Sequence, residues 1–199
     1  MSKLEAFNYA LFLRLNGATS SKWLIDAVSW IADYLIYWVP LLMTAMWLWG
    51  GEAQRRLSVR ACLVAMVGVG TNQLIGLVWQ HPRPFMIGLG HTFLSHTPDS
   101  SFPSDHATVF VGIALTLLLG GTRLAGGLTL AAGVLVAWAR VYLGIHFPLD
   151  MIGAAVVACL SYALVAPLWC LAGDAVTRSA IVAYRWLLAK PIGLGWLRR

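Results

Sequence analysis

The chain has 199 residues, 59% of them hydrophobic and 11% charged, with 14 Lys and Arg against 8 Asp and Glu for a net charge of +6. So apolar a composition excludes a water-soluble globular domain and fits an integral membrane protein, a single domain over residues 1–199. The positive charges follow the ends of apolar runs instead of forming a patch of their own, which argues against a nucleic-acid partner.

Residues 1–22 hold Lys3, Glu5, Arg14 and Lys22 among scattered apolar residues, with neither the unbroken apolar run nor the small-residue cleavage site of a signal peptide. Within them LEAFNYALFLRL places apolar residues at 4, 7, 11 and 15, a helical stripe that predicts a helix lying on the membrane surface. Residues 1–33 are therefore expected as an interfacial segment.

Five stretches without Asp, Glu, Lys or Arg follow: 34–51, 61–82, 106–122, 124–139 and 151–173. Each approaches the roughly 20 residues a spanning helix needs, the third and fourth being short. The GGTR turn around Arg123 predicts a helical hairpin between those two. After Gly173, residues 174–199 alternate apolar and basic residues and are expected as a basic cytoplasmic tail, a surface helix and not a sixth span, because Arg185 would otherwise sit mid-membrane. The expected fold is an all-α membrane bundle of about five or six transmembrane helices with interfacial helices beside them.

If the spans alternate, one face receives Arg55, Arg56, Arg60, Arg123, Arg178, Arg185, Lys190, Arg198 and Arg199, and by the positive-inside rule that face is cytoplasmic. The other receives the N-terminal segment, the loop from about 83 to 104 and the turn HFPLD, with His81, His91, His96, His106 and His146 at or beside it. Several of the ten tryptophans, Trp23, Trp49, Trp79 and Trp169, fall near predicted span ends as an interfacial belt would. Cys62, Cys159 and Cys170 lie in apolar spans without metal-ligand spacing and are expected to pack. No feature of the sequence sets an oligomeric state.

Alternation also brings three polar segments to one face: QHPRPF at 80–85, SFPSDHAT at 101–108 and ARVYLGIHFPLD at 139–150. SFPSDHAT is a helix start signal, whose free N–H groups near Ser104, Asp105 and His106 would favour an anion, above all a phosphate; Ser101 there is expected as a capping residue. In the third segment Gly144 suits the end of one helix and Pro148 the first turn of the next, so His146 sits in a tight corner. Asp150, one turn on, is placed to accept from one ring nitrogen of His146 and leave the other for an electrophile. Arg83 and Arg140 offer planar forks of donors that fit phosphate oxygens. Such a set suits phosphoryl transfer better than a metal site, which wants neutral histidines and thiolates without guanidinium neighbours.

The order R-P, P-S-x-H, R-x5-H-x3-D resembles the type 2 phosphatidic acid phosphatase (PAP2) and haloperoxidase superfamily over roughly residues 60–170. HPRPF and SFPSDHAT, with Asp105 where most relatives carry Gly, are similar to its bacterial undecaprenyl pyrophosphate phosphatase branch, the BcrC type. The resemblance implies that His146 attacks phosphorus and forms a phosphohistidine, oriented by Asp150. It implies further that His106 protonates the leaving oxygen and later activates water, while Arg83, Arg140 and Ser104 hold the phosphoryl oxygens. No metal or cofactor is implied. The apolar spans separate the chain from the soluble haloperoxidases of that superfamily.

Two positions depart from the pattern. Gly76 stands where the family has a lysine, with His81, Lys3 or Arg14 as substitutes, and Ala139 stands where it has a serine. Asp105 either orients His106 or an arginine, or meets the distal phosphate through a proton or an ion. His91 and His96 have no motif position and are expected as surface-loop residues, whereas Asn72 and Gln73 are expected to hydrogen-bond between helices. The activity expected is hydrolysis of undecaprenyl diphosphate, a membrane-embedded polyprenyl lipid, at the periplasmic face of a bacterial inner membrane. The alternatives are another lipid phosphatase or phosphotransferase acting on phosphatidylglycerophosphate, phosphatidate or lipid A, and a non-enzymatic polyprenyl-phosphate binding or flipping protein.

Overall fold

The structure, a computed structural model, describes residues 2–17 and 21–198. Arg199, counted above among the basic residues of the tail, lies outside the described residues. Eight α-helices and no strand are found among the described residues: α1 Lys3–Leu15, α2 Lys22–Tyr34, α3 Trp38–Leu48, α4 Glu52–Val78, α5 Asp105–Leu119, α6 Arg123–Tyr142, α7 Pro148–Leu187 and α8 Ala189–Gly193.

The bundle is built around α5. It packs against α4, α6 and α7, and Phe110, Ile113 and Leu117 on it are buried against Ala61 and Ala65 of α4, Val136 of α6 and Val39 and Met43 of α3. Small residues allow the close approach that lipid alone does not drive. A Cβ at Gly133 of α6 would come within 2.6 Å of the Phe110 Cβ. Being surrounded by protein, α5 needs no full span of its own. Its 15 residues make about 22 Å against a hydrocarbon core of about 30 Å.

The outer helices turn leucines such as Leu74, Leu77, Leu124, Leu160 and Leu171 outward, as helices facing lipid do. Four runs are long and apolar enough to cross a membrane: Lys22–Leu48, Glu52–Val78, Arg123–Tyr142 and Pro148–Leu187. With the shorter α5 they form a multi-pass membrane bundle.

Three expectations change. The first span starts at Lys22, not at residue 34: α2 and α3 are joined by one helical turn, Leu35–Tyr37, into a run of 27 residues. Asp26 and Asp33 lie within it, and only α1 of the segment 1–33 is left as a separate N-terminal helix. The tail is not a separate surface helix either. Residues up to Leu187 continue α7 for 40 residues, about 60 Å, so its basic half extends well beyond a 30 Å core. The chain then returns through α8, and the Arg198 N–H donates to the Leu48 carbonyl at 3.1 Å. Arg55, wholly buried there, donates to the carbonyls of Trp47 and Arg198 and lies over the Tyr184 ring. Lastly, Trp169 is buried against Val64 and Val165 and does not join the exposed Trp23, Trp49 and Trp79.

Helix α1 shows which side of an amphipathic helix does what. Leu4 and Phe7 of the apolar stripe are exposed, while Asn8 and Phe12 turn into the protein. The stripe thus faces outward, and the inward face meets the turn between α6 and α7.

Candidate active site

The three polar segments meet at one end of the bundle, around a cavity of about 750 Å³. Residues 143–147 form the turn between α6 and α7. Gly144 takes φ +82°, which a residue with a Cβ adopts at a cost, and closes α6 as expected; Pro148 opens α7. The Asp150 carboxylate, at the third position of α7, reaches back to the Phe147 N–H at 2.8 Å.

The same Oδ2 accepts from His146 Nδ1 at 3.1 Å and from the Ser101 hydroxyl. A guanidinium only donates and Arg83 Nη1 stands against Nε2, so the lone pair of the ring belongs on Nε2 and its proton on Nδ1. Burial holds the His146 ring well below the ordinary histidine range, and the charges of Arg140 and Arg83 and the His96 ring act in the same direction. His146 is 3% exposed and Asp150 1%.

Arg83 is buried and almost saturated. Its Nη1 donates to the Ile145 carbonyl at 2.9 Å and stands 3.1 Å from His146 Nε2; its Nε donates to Asp99 at 2.7 Å and its Nη2 to the Ser100 carbonyl at 3.3 Å. Arg140 is as deeply buried but has fewer partners. Nη1 donates to the Ala32 carbonyl of α2 at 3.3 Å, Nη2 lies 3.3 Å from His96 Nε2, and Nε is buried without a partner. His106, in the first turn of α5, lines the same cavity. Ser104 is the N-cap of that helix, its buried hydroxyl 3.5 Å from the Ala107 N–H.

His81 lines the cavity with its ring edge-on to Phe147 and a buried Nδ1 that has no partner. Lys3 and Arg14 sit on exposed positions of α1 and do not line it. Gly76 does, and a Cβ there would meet Ser100 at an ordinary 3.5 Å, so no close approach requires a glycine at this position. Asp105 accepts from Asn72 Nδ2 at 2.8 Å and from Gln73 Nε2 at 2.9 Å, one amide on each oxygen. Asn72 and Gln73 therefore bond between helices as expected, and they line the cavity too. No group of three His, Cys, Asp or Glu side chains among the described residues gathers as metal ligands would.

Three residues join the site that motif reading left out. Ser101, expected as a cap, is a partner of Asp150, and its Oγ is 3.4 Å from His146 Nδ1. Asp99 pairs with Arg83; partial burial pushes its carboxyl up, but the hydrogen bond and charge of Arg83 outweigh that and hold it below the usual carboxylate range. His96, expected as a surface residue, lines the cavity beside Arg140, while His91 is exposed as expected. Burial keeps the His96 pKa below the ordinary range, and Arg83 and Arg140 act with it.

Comparison with known families decides the relationship: residues 57–172 match the model of the PAP2 superfamily. The chain belongs to the PAP2 superfamily. Among PAP2 relatives it is 39% identical to the "Putative undecaprenyl-diphosphatase YbjG" of Escherichia coli (strain K12) over 98% of this chain and 99% of that protein. It is 33% identical to the undecaprenyl-diphosphatase BcrC of Bacillus subtilis (strain 168) over 76% of this chain and 78% of that one. Two solved PAP2-like structures share its fold. Aquifex aeolicus LpxE superposes with a TM-score of 0.65 at 21% identity, covering 81% of this chain and 95% of its own. A phosphatidylglycerolphosphate phosphatase of PAP2 type from Bacillus subtilis does so with a TM-score of 0.62 at 20% identity, covering 84% and 87%.

Proposed function

We propose that this PAP2 protein hydrolyses undecaprenyl diphosphate to undecaprenyl phosphate and inorganic phosphate through a phosphohistidine on His146. The observation that carries the mechanism is the oriented imidazole: Nδ1 lies 3.1 Å from the Asp150 carboxylate and Nε2 faces Arg83 at the cavity. A lipid-binding or flipping protein would need the arginines but not that histidine–aspartate pair. The substrate follows from the relatives that carry undecaprenyl-diphosphatase in their names and match most of the chain.

In the first step Nε2 of His146 bonds to the terminal phosphorus as the bond from phosphorus to the bridging oxygen breaks. His106 donates its proton to that oxygen, and undecaprenyl phosphate leaves. In the second, neutral His106 takes a proton from water, whose oxygen attacks phosphorus; the P–N bond breaks and inorganic phosphate departs. Arg83, Arg140 and the N–H groups at the Ser104 end of α5 hold the phosphoryl oxygens as charge moves between them. Asp150 keeps the Nδ1 proton throughout and offsets the charge that grows on the imidazole.

The site belongs at the periplasmic face of a bacterial inner membrane, with the basic half of α7 and the Arg55 and Arg123 turns in the cytoplasm, because positive charge gathers at that opposite end. The lipid enters sideways from the bilayer, and its product is the monophosphate carrier used in envelope synthesis.

The test is release of inorganic phosphate by the purified protein from a panel of undecaprenyl diphosphate, phosphatidylglycerophosphate, phosphatidate and lipid A. The polyprenyl diphosphate is turned over with the highest kcat/KM, and His146→Ala abolishes it. Absence of any preference overturns the substrate, and full turnover by His146→Ala overturns the nucleophile.

A further inference from the structure

The segment matched by the family begins at residue 57, yet the turn that carries His146 is held by residues far ahead of it. The Leu149 N–H, one of the donors a first helical turn leaves without an intrahelical partner, donates to Asn8 Oδ1 at 3.1 Å. Asn16, the residue that ends α1, donates through Nδ2 to the carbonyls of His91 at 2.8 Å and Tyr142 at 2.9 Å. Its Oδ1 accepts from the His91 N–H at 2.7 Å. Between the two amides, Phe12, wholly buried, meets the Phe147 ring edge-on with centroids 5.3 Å apart, and Tyr9 stacks on the same ring at 5.1 Å.

The contacts of α1 thus fall on residues 142, 147 and 149, on both sides of His146. A helix that only anchored the chain would turn apolar side chains inward, since a buried amide is costly unless its partners are in place. Here two buried asparagines, 3% and 8% exposed, direct the hydrogen bonds of their side chains to the backbone around the site.

We infer that Asn8 and Asn16 are positioning residues for His146, so that the N-terminal helix outside the family-matched segment is part of the catalytic apparatus. The inference rests on the assignment of His146 as nucleophile. Displacing that ring by an ångström is enough to lower kcat while leaving substrate binding in place.

The two asparagines use their amides differently, which gives the test. Asn8 only accepts, so Asn8→Asp keeps its contact, and a carboxylate suits the N-terminal end of α7. Asn16 donates twice, so Asn16→Asp loses both bonds to carbonyls. Full-length variants in detergent are assayed on the panel lipid the wild type turns over best. In parallel, His146 is labelled with diethyl pyrocarbonate and read by mass spectrometry, which needs no substrate.

Asn8→Ala and Asn16→Asp each lower kcat by about tenfold or more, with KM changed by less than about threefold. Asn8→Asp stays within about twofold of wild type in kcat, and His146 labels faster only in the first two variants. Wild-type kcat and labelling in both Asn8→Ala and Asn16→Asp, or a loss in Asn8→Asp equal to that in Asn8→Ala, overturns the inference. Should Asn16→Asp not fold, the Asn8 pair decides alone. A wild type inert on every lipid would count against the proposed function, and the labelling would still read the positioning.

Discussion

Nη1 of Arg83 lies 3.1 Å from Nε2 of His146 while donating to the Ile145 carbonyl at 2.9 Å, so one nitrogen holds both the turn and the ring that projects from it. Nε and Nη2 of the same fork tie down Asp99 and Ser100 of the preceding loop. A lysine has the charge but neither the fork nor the reach to four partners at once. Arg83→Lys is therefore expected to lower kcat for phosphate release on the order of 100-fold, the size of effect seen when one oriented donor is removed from a transition state. A loss of less than about threefold would show that charge alone is what the site needs.

Ser101 and Asp150 form the other support of the His146 ring. One carboxylate oxygen accepts from Ser101, His146 and Phe147, and removing the hydroxyl leaves the two latter donors. Loss of one such hydrogen bond is worth about 1 to 2 kcal/mol, so Ser101→Ala is expected to lower kcat roughly tenfold. Asp150→Asn also removes the charge that the proposed mechanism sets against the imidazole and is expected to cost at least about 100-fold. Steady-state phosphate release separates the two variants. Equal losses would mean that the hydroxyl, and not the carboxylate charge, governs the ring.

How much of this is legible in the sequence differs by element. Gly144 and Pro148 mark the turn around His146 because each carries a backbone constraint that acts locally, and Ser104 marks the start of α5 for the same reason. Asp150 is found by its spacing of one helical turn. His96, Asp99 and Ser101 belong to a loop without periodicity, and only the packing of that loop over the α4–α5 end brings them to Arg140, Arg83 and Asp150. The inward face of α1 escapes notice because the apolar stripe, the stronger signal, faces outward. The continuity of α7 is hidden by Arg178 and Arg185, which read as a break in a span but sit on the C-terminal half of one 40-residue helix, whose length of about 60 Å exceeds a core of about 30 Å.

His146 gives a pH prediction. Burial, with the positive charges of Arg140 and Arg83, places its pKa below 6.5. The native ring stays neutral as pH falls through 6.5, whereas the unfolded chain takes up a proton there, so the native state loses stability on acidification through that range. NMR of ¹⁵N-histidine-labelled protein should show the His146 ring still neutral, with the proton on Nδ1, at pH 6. A half-protonated His146 at pH 6.5 would refute the electrostatic description of the site.

The proposed orientation is tested by labelling from one side. Ser95 lies exposed in the loop at the site end, and Ala53 lies exposed at the start of α4 at the opposite, basic end. The chain's own Cys62, Cys159 and Cys170 lie within helices α4 and α7, and their replacement by Ser or Ala gives a background free of thiols. A thiol reagent that cannot cross the inner membrane, applied to intact spheroplasts, should label Ser95→Cys and spare Ala53→Cys until the cells are lysed. This follows because the basic residues Arg55, Arg56 and Arg60 flank Ala53 and oppose its translocation. The reverse pattern would place the cavity in the cytoplasm and remove the proposed role in returning carrier lipid from the outer face.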